Sequence, residues 1–173
     1  MPTTQNGLDP IAGRESTVLI LGSFPSPESL RLGQYYAFSQ NRFWTLMQRI
    51  CGVEVALPYE HRKRGLKRNG IALWDSLRSC VRPGALDHRI VRGTESPNDF
   101  PRFFASHRSI RTVVFNGRKA EETFRRFVLP GLGPPATTLS LTAAPSTSPA
   151  NTRYTVSKLE RAWRRALCRR VAV

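Results

Sequence analysis

The sequence predicts an α/β fold in which helices flank a mostly parallel sheet. Four apolar runs, each ending at turn-forming residues, predict strands within 16–23, 70–77, 110–117 and 136–145. Segments with helical spacing of apolar residues lie between them, and strands that alternate with helices form parallel sheets. The chain has 173 residues, which is room for one such domain with a substantial core.

Helical patterns fill the intervals between the strands. After Asn41, apolar residues recur with the spacing of one helix face: Phe43, Leu46, Met47 and Ile50. Residues 96–99 are Ser, Pro, Asn and Asp, which favour a capped helix start before Phe100. Two further helices are predicted at 118–128 and 153–168, the second with an apolar face and an arginine-rich face.

One domain is expected over residues 16–173, preceded by a loose arm at residues 1–15. No apolar run approaches the roughly 18 residues of a membrane span, and the N-terminus lacks the pattern of a secretion signal. The three cysteines are far apart and too few for a four-cysteine metal cluster. We therefore expect a soluble, cytoplasmic protein with no membrane partner and no metal.

The charge predicts a polyanionic partner. Lys and Arg number 27 against 12 Asp and Glu, for a net charge of +15. The basic residues cluster in 61–68 and near the C-terminus, at Arg161, Arg164, Arg165, Arg169 and Arg170. Nucleic acid is favoured over a membrane surface as the partner.

Ligands of parallel sheets bind beyond the carboxyl ends of the strands, which points to four loops. They are GSFPSPES (22–29), the segment after Leu77, NGRKA (116–120) and APSTSPAN (144–151). The first loop lacks the glycines and lysine of a phosphate-binding loop. A serine nucleophile at Ser23 is conceivable, but the three histidines, His61, His88 and His107, lie outside these loops.

Several residues near these loops have both a structural and a functional interpretation. Asn41 stands where an asparagine caps a helix, and Asn116 precedes a glycine, as in many turns. Tyr35, Tyr36 and Phe38 follow no strand or helix period, so they are expected on a loop, where aromatic rings suit stacking on a base. APSTSPAN is either a rigid loop or a contact to phosphates.

Taken together, five segments resemble the hypoxanthine-DNA glycosylase family of the uracil-DNA glycosylase superfamily. They are VLILGSFPSPESL, YYAFSQNRFW, NGIALWDSLRSCVRPGALD, VVFNGRKAEETFRR and PSTSPA, in this order and spacing. The resemblance covers about residues 16–168. It implies a three-layer α/β/α sandwich around a four-stranded parallel sheet, and hydrolysis of the N-glycosidic bond of a deaminated base with no metal or organic cofactor.

The resemblance also assigns residues. Asn41 matches the asparagine to which the family's catalytic role is given, and Asn116 matches a second pocket asparagine, catalytic or base-binding. At Ser23, mismatch-specific members of the superfamily carry a catalytic Asn and other uracil enzymes an Asp nearby. This chain has neither, which argues against strong uracil activity.

The expected mechanism is base flipping on double-stranded or single-stranded DNA by a monomer at the nucleoid. Tyr36 would stack on the flipped base, Asn116 would read its edge, and Asn41 would orient a water below the sugar. Backbone amides at Ser23 and Phe24 would support the departing base. The expected DNA contacts are Pro25, Ser26, Ser146, Thr147, Ser148, Pro149 and Arg153, the later ones pressing on the minor groove.

Two alternatives remain open at this point. Within the same enzyme class, uracil or a broad range of deaminated bases is the substrate. In a different class, the chain is a non-catalytic nucleic-acid-binding domain whose affinity weakens steeply with salt.

Overall fold

The computed structural model describes residues 3–168. Within them the elements are β1 (Thr4–Asn6), β2 (Val18–Gly22), α1 (Pro27–Leu32), α2 (Phe43–Cys51), α3 (Tyr59–Arg68), β3 (Ile71–Asp75), β4 (Leu77–Val81), β5 (Ser96–Pro97), α4 (Phe100–Ser106), β6 (Thr112–Asn116), α5 (Arg118–Thr123), β7 (Ser140–Ala144) and α6 (Val156–Cys168).

Four parallel strands form the central sheet, in the order β3-β2-β6-β7. Each lies inside one of the four apolar runs, and helices pack against them, so the predicted α/β class is confirmed. β3 is buried along its whole length, as expected for a strand covered on both faces, whereas the edge strand β7 is only partly buried. Because the strands are parallel, the residues that follow Gly22, Asp75, Asn116 and Ala144 meet at one edge.

Helices α2 and α6 pack on each other through aromatic rings. Phe43 and Trp163 are fully buried, and their ring centroids lie 6.3 Å apart in an edge-on arrangement. Trp163 also donates from Nε1 to the carbonyl of Pro145 at 2.9 Å. This contact ties α6 to the loop that follows β7.

The predicted helices are present, with changes at their ends. Asp99 caps α4 by accepting from the backbone N–H of Arg102 at 3.1 Å. The helix expected over 118–128 is α5 followed by a π-helical segment, Phe124–Val128. The last helix, predicted over 153–168, begins at Val156.

The loose arm expected at residues 1–15 is wrong for the part that the structure describes. β1 pairs antiparallel with β4, and Ile11 is buried and bridges Leu73. The carbonyl of Leu8 accepts from the Tyr35 hydroxyl at 3.1 Å and from Trp74 Nε1 at 3.1 Å. Buried phenol and indole groups need such partners, and this segment supplies them.

Four further elements, β4, β5, α1 and α3, were not predicted. β4 forms a small antiparallel sheet with β1 and β5. Helix α1 starts within the loop after β2, where Ser26 accepts from the backbone N–H of Ser29 at 3.1 Å. Helix α3 contains the basic segment 61–68, and its charged residues hide the helical pattern because only Gly65 and Leu66 are buried. None of the helices described is long and apolar enough to cross a membrane.

The aromatic contact between α2 and α6 yields a test of the core. Trp163→Ala is expected to lower the free energy of unfolding by about 3–5 kcal/mol, because it leaves a cavity and an unpaired Pro145 carbonyl. Trp163→Phe keeps most of the ring and should lose less. Denaturant unfolding measures both, with the exposed Lys158→Ala on the same helix as the control, expected within about 0.5 kcal/mol of wild type. Equal stability of the Trp163→Ala protein and wild type would contradict this packing.

Candidate active site

The loops after the parallel strands enclose a cleft of about 480 Å³ at the carboxyl edge of the sheet. The sequence-predicted residues that line it are Ser23, Phe24, Pro25, Ser26, Tyr36, Asn41, Asn116, Ser146, Thr147 and Ser148. Pro149 and Arg153 belong to the neighbouring surface and do not line the cleft. Other lining residues, not singled out from the sequence, include Asp75, Arg82, Asp87 and Lys119.

One buried hydroxyl joins the two asparagines. Thr147 Oγ1 donates to Asn41 Oδ1 at 2.8 Å and accepts from Asn116 Nδ2 at 2.9 Å. The backbone N–H of Thr147 donates to Asn116 Oδ1 at 2.9 Å. Thr147 itself has no solvent exposure, so its side chain acts inside the site and not at the surface.

These contacts fix the orientation of both amides. A backbone N–H can only donate, so Oδ1 of Asn116 must face Thr147, and its Nδ2 must face the hydroxyl. Asn116 keeps one N–H and one lone pair for a ligand. Asn41 Oδ1 accepts from Thr147 Oγ1 and also from the backbone N–H of Phe43 at 3.0 Å, so both of its lone pairs are used.

The oxygen and the nitrogen of the Asn41 amide therefore serve different purposes, one structural and one chemical. Its Oδ1 accepts from the backbone N–H of Phe43, the first residue of α2, although the N-cap position expected for Asn41 is occupied by Arg42. Its Nδ2 is the part left for a reactant, and it can only donate. The two interpretations made from the sequence use different atoms of the same side chain.

Arg42 holds the loop that carries Thr147. Its guanidinium donates to the carbonyls of Ser148, Asn151 and Tyr154 at 2.7, 2.9 and 2.5 Å. Its backbone N–H donates to the carbonyl of Thr147 at 3.1 Å. Arg42 was not identified from the sequence, because a guanidinium that donates to several carbonyls is recognisable only after folding has brought those carbonyls together.

Gly117 brings the same loop close to β6. It has φ 92°, and a Cβ on it would lie 2.8 Å from Cβ of Ser146. Asn116 and the Ser146–Thr147 backbone can therefore approach only because residue 117 lacks a side chain. The Asn-Gly pair at 116–117 serves this close approach, in addition to the turn expected from the sequence.

Tyr36 is held rigidly beside the cleft. One face of its ring stacks on Phe43, with centroids 4.1 Å apart. Among residues 3–168 it is the one residue other than glycine with a positive φ, 53°, a strained conformation that commonly marks functional sites. Its hydroxyl is buried with no hydrogen-bond partner among those residues. Burial, then the neighbouring Asp75 carboxyl, raise the pKa of Tyr36, and the nearby Asn116 side chain acts in the opposite direction, so the phenol stays neutral.

A polar group from the segment after β4 closes another side of the cleft. Ser23 Oγ donates to Asp87 Oδ2, and Arg82, which is 2% exposed, lies 3.3 Å from Asp87 Oδ1. Arg82 also donates to the carbonyl of Pro25 and lies over the Phe24 ring. Ser23 thus pairs with a carboxylate. His88 lines the cleft as well, against the expectation that it lies away from the site.

Asp75 forms part of the cleft wall at the end of β3. The residue is 4% exposed, and its Oδ2 has no hydrogen-bond partner in the described part of the chain. Burial, then the charge of Asp87, raise its pKa to about 8, with Arg82 acting in the opposite direction. Asp75 was not predicted as a site residue, because the apolar run predicted a strand extending to Leu77, which placed Asp75 inside the strand and not at its end.

The basic clusters are only partly free for a ligand. Arg161 and Arg165 are exposed, whereas Arg164 pairs with Glu160 at 2.8 Å. Arg169 and Arg170 lie outside the described residues.

Comparisons with known proteins agree on one family. Residues 10–168 match the uracil DNA glycosylase superfamily. A protein called hypoxanthine DNA glycosylase from Methanosarcina acetivorans is 36% identical over 155 residues, which cover 89% of this chain and 92% of that protein. Another of that name from Methanosarcina barkeri is 35% identical over 119 residues, 68% of this chain and 74% of that protein.

A solved structure is also similar. The solution NMR structure of a candidate uracil DNA glycosylase from Methanosarcina acetivorans has a TM-score of 0.75 with 32% identity, and the match covers 95% of this chain and 99% of that one. The four-stranded parallel sheet flanked by helices is therefore the fold of this group.

The burial of Asp75 predicts a pH-dependent stability difference. Its pKa is about 8 in the folded protein and 3.8 ordinarily, so between these values the folded state keeps a proton that the unfolded state has released. Stability then falls as pH rises through this window. Asp75→Asn cannot ionise, and we expect it to be more stable than wild type near neutral pH by about 1–3 kcal/mol.

Denaturant unfolding from about pH 4 to about pH 8 measures the difference, which should shrink toward the acid end. Asp99→Asn, a change at a surface helix cap, is the matched control. It should not become more stable than wild type near neutral pH. An Asp75→Asn protein less stable than wild type across the range would show that the carboxyl is stabilised by a partner.

Proposed function

We propose that this chain, which belongs to the uracil DNA glycosylase superfamily, is a DNA N-glycosylase that removes hypoxanthine from deoxyinosine and leaves an abasic site. The observation that carries the proposal is the pair Asn41 and Asn116, fixed by Thr147 at the carboxyl edge of the sheet. The two relatives named hypoxanthine DNA glycosylase support the choice of base.

The first step is capture of DNA and extrusion of the damaged nucleotide. The net charge of +15 favours binding to phosphates. Flipping costs a few kcal/mol and least for a mispaired base such as hypoxanthine. The loop at 146–151 is proposed to press on the minor groove, with Pro25, Ser26 and Arg153 as further contacts. The hydrogen bonds from Arg42 to the carbonyls of Thr147, Ser148 and Asn151 hold that loop in place.

The second step is recognition of the flipped base. Tyr36 is backed by Phe43, so its other ring face is a fixed plate on which a base can stack. Asn116 offers one donor and one acceptor in a fixed orientation, which complements the neighbouring keto oxygen and N–H of hypoxanthine. A rotated amide would have exchanged these roles, and the backbone N–H of Thr147 prevents the rotation.

The third step is hydrolysis at the sugar C1′. Asn41 is proposed to donate from Nδ2 to the attacking water and hold its oxygen below the sugar, since its Oδ1 is already occupied. An amide is not a base, so catalysis rests on positioning and on support for the departing base, to which the backbone amides near Ser23 and Phe24 contribute. The sugar passes through an oxocarbenium-like state before water adds.

A monomer is proposed as the working unit, because Asn41, Asn116 and Thr147 already contact one another within a single chain. Action on DNA supports a place at the nucleoid in the cytoplasm. Uracil is the second candidate substrate, because it has the same keto and N–H pair that Asn116 complements, and a candidate uracil DNA glycosylase is among the similar structures.

The substrate proposal is tested by base release from paired duplexes. Purified protein should release hypoxanthine from a deoxyinosine duplex, and alkali should then nick the strand. Duplexes that contain uracil or xanthine are assayed in parallel, and we expect each base to be released more slowly than hypoxanthine. Salt-dependent binding with all duplexes left intact would instead identify a non-catalytic DNA-binding domain.

The controls for that assay are two variants of Asn41. Asn41→Ala removes both the helix cap and the amide, whereas Asn41→Ser keeps a capping oxygen. Both should lose about 10²–10³-fold in single-turnover rate, since neither has the donor N–H. If Asn41→Ser excises at the wild-type rate, Asn41 serves only the helix.

The central role of Thr147 gives a separate prediction. Thr147→Val has nearly the same shape but lacks the hydroxyl, so Asn116 Nδ2 loses its acceptor and Asn41 Oδ1 loses one donor. We expect a loss of about 1–3 kcal/mol in stability and about 10²-fold in the excision rate, because the amides are no longer held in register. Thr147→Ser keeps the hydroxyl and should stay within about tenfold of wild type. Unchanged excision by Thr147→Val would refute this role.

A further inference from the structure

Two buried polar atoms on the cleft wall have no protein partner. Asp75 Oδ2 and the Tyr36 hydroxyl are both buried, and neither forms a hydrogen bond within residues 3–168. Buried polar groups in folded proteins are nearly always paired, so such atoms call for an explanation. Both residues line the cleft that would receive the flipped base.

The backbone is shaped to admit the Asp75 carboxyl. A Cβ on Gly22 would overlap Asp75 Oδ1 and lie 3.5 Å from the Tyr36 hydroxyl oxygen. Gly22 pairs with Asp75 across β2 and β3, and the carbonyl of Asp75 accepts from Asn98 Nδ2 at 2.8 Å. The carboxyl is thus fixed from its own backbone and occupies space that any side chain at residue 22 would fill.

From this geometry we propose that Asp75 is the proton donor to the departing base, a catalytic role beyond those of the two asparagines. The proposal rests on the proposed function. The carboxyl in its neutral form donates a hydrogen bond to a ring nitrogen of the flipped purine, N7 or N3, which gains electron density as the bond to the sugar breaks. Hypoxanthine has these acceptors, whereas uracil has no free ring nitrogen that accepts.

The step balances in protons and electrons. The N9–C1′ bond breaks and its electron pair goes to the base. The proton of Asp75 moves to the ring nitrogen, so the base leaves neutral. Water adds to C1′, and the proton it loses returns to Asp75 through solvent.

The charged and titratable groups around Asp75 are compatible with a neutral acid at physiological pH. Burial and then the charge of Asp87 raise its pKa to about 8, and Arg82 acts in the opposite direction. Tyr35, Tyr36 and Tyr59 from the other side have raised pKa values and remain uncharged. An acid with a pKa near the working pH transfers its proton most effectively.

The test is a pH profile of single-turnover excision from a deoxyinosine duplex. Wild type should lose rate as pH rises through about 8, the value for Asp75, because the donor proton is lost. Asp75→Asn has the same shape and no transferable proton, so its rate should fall by about 10²–10⁴-fold and show no inflection there. Asp99→Asn, outside the cleft, should keep the wild-type rate and profile.

Substrate analogues identify the acceptor. In duplexes with 7-deaza- or 3-deaza-deoxyinosine, the ratio of wild-type to Asp75→Asn rates should fall to near one for the analogue that lacks the accepting nitrogen. Thermal unfolding and binding to an abasic-site duplex confirm that Asp75→Asn is folded. An Asp75→Asn rate within about threefold of wild type overturns the inference. The inference also fails if the ratio of wild-type to Asp75→Asn rates is as large with both analogues as it is with deoxyinosine. If wild type releases no hypoxanthine, the proposed function itself fails.

Discussion

The hydroxyl of Thr147 is the contact on which the rest of the site depends. It joins Asn41, two residues before α2, to Asn116 at the end of β6 and to the loop after β7, so three separate parts of the chain take their positions from one buried group. Arg42 and Gly117 position the same loop. Arg42 donates hydrogen bonds to its carbonyls, and Gly117, which has no side chain, leaves space for it. A DNA glycosylase that works mainly by positioning needs this rigidity, because an amide supplies no strong base.

The cleft also keeps features that do not favour stability. Asp75 is buried without a partner, and Tyr36 has a strained backbone. Such groups persist where the surrounding structure determines them and where function uses them. Here the sheet edge and the Phe43 ring hold both residues in place. The same burial that destabilises the ionised carboxyl of Asp75 raises its pKa beside the cleft.

The sequence predicted the sheet well and the smaller elements poorly, for identifiable reasons. β2, β3 and β6 are covered on both faces, so they are continuous apolar runs that a reader of the sequence can see. α3 buries little beyond Leu66 and shows no apolar stripe. β1 is short, and its order comes from pairing with β4, which lies more than 70 residues away along the chain. Asp75 was missed because the end of β3 was placed two residues too late.

By itself, the sequence determined the α/β class, the edge of the sheet at which the cleft lies, and the two asparagines that line it. These follow from local patterns: apolar runs, helix periods and turn residues. Only the tertiary structure decided which atoms of those asparagines are available to a ligand. The reason is distance along the chain, since the contacts that fix them join Thr147 to residues 31 and 106 positions away. The pKa of Asp75 likewise depends on burial that no local pattern specifies.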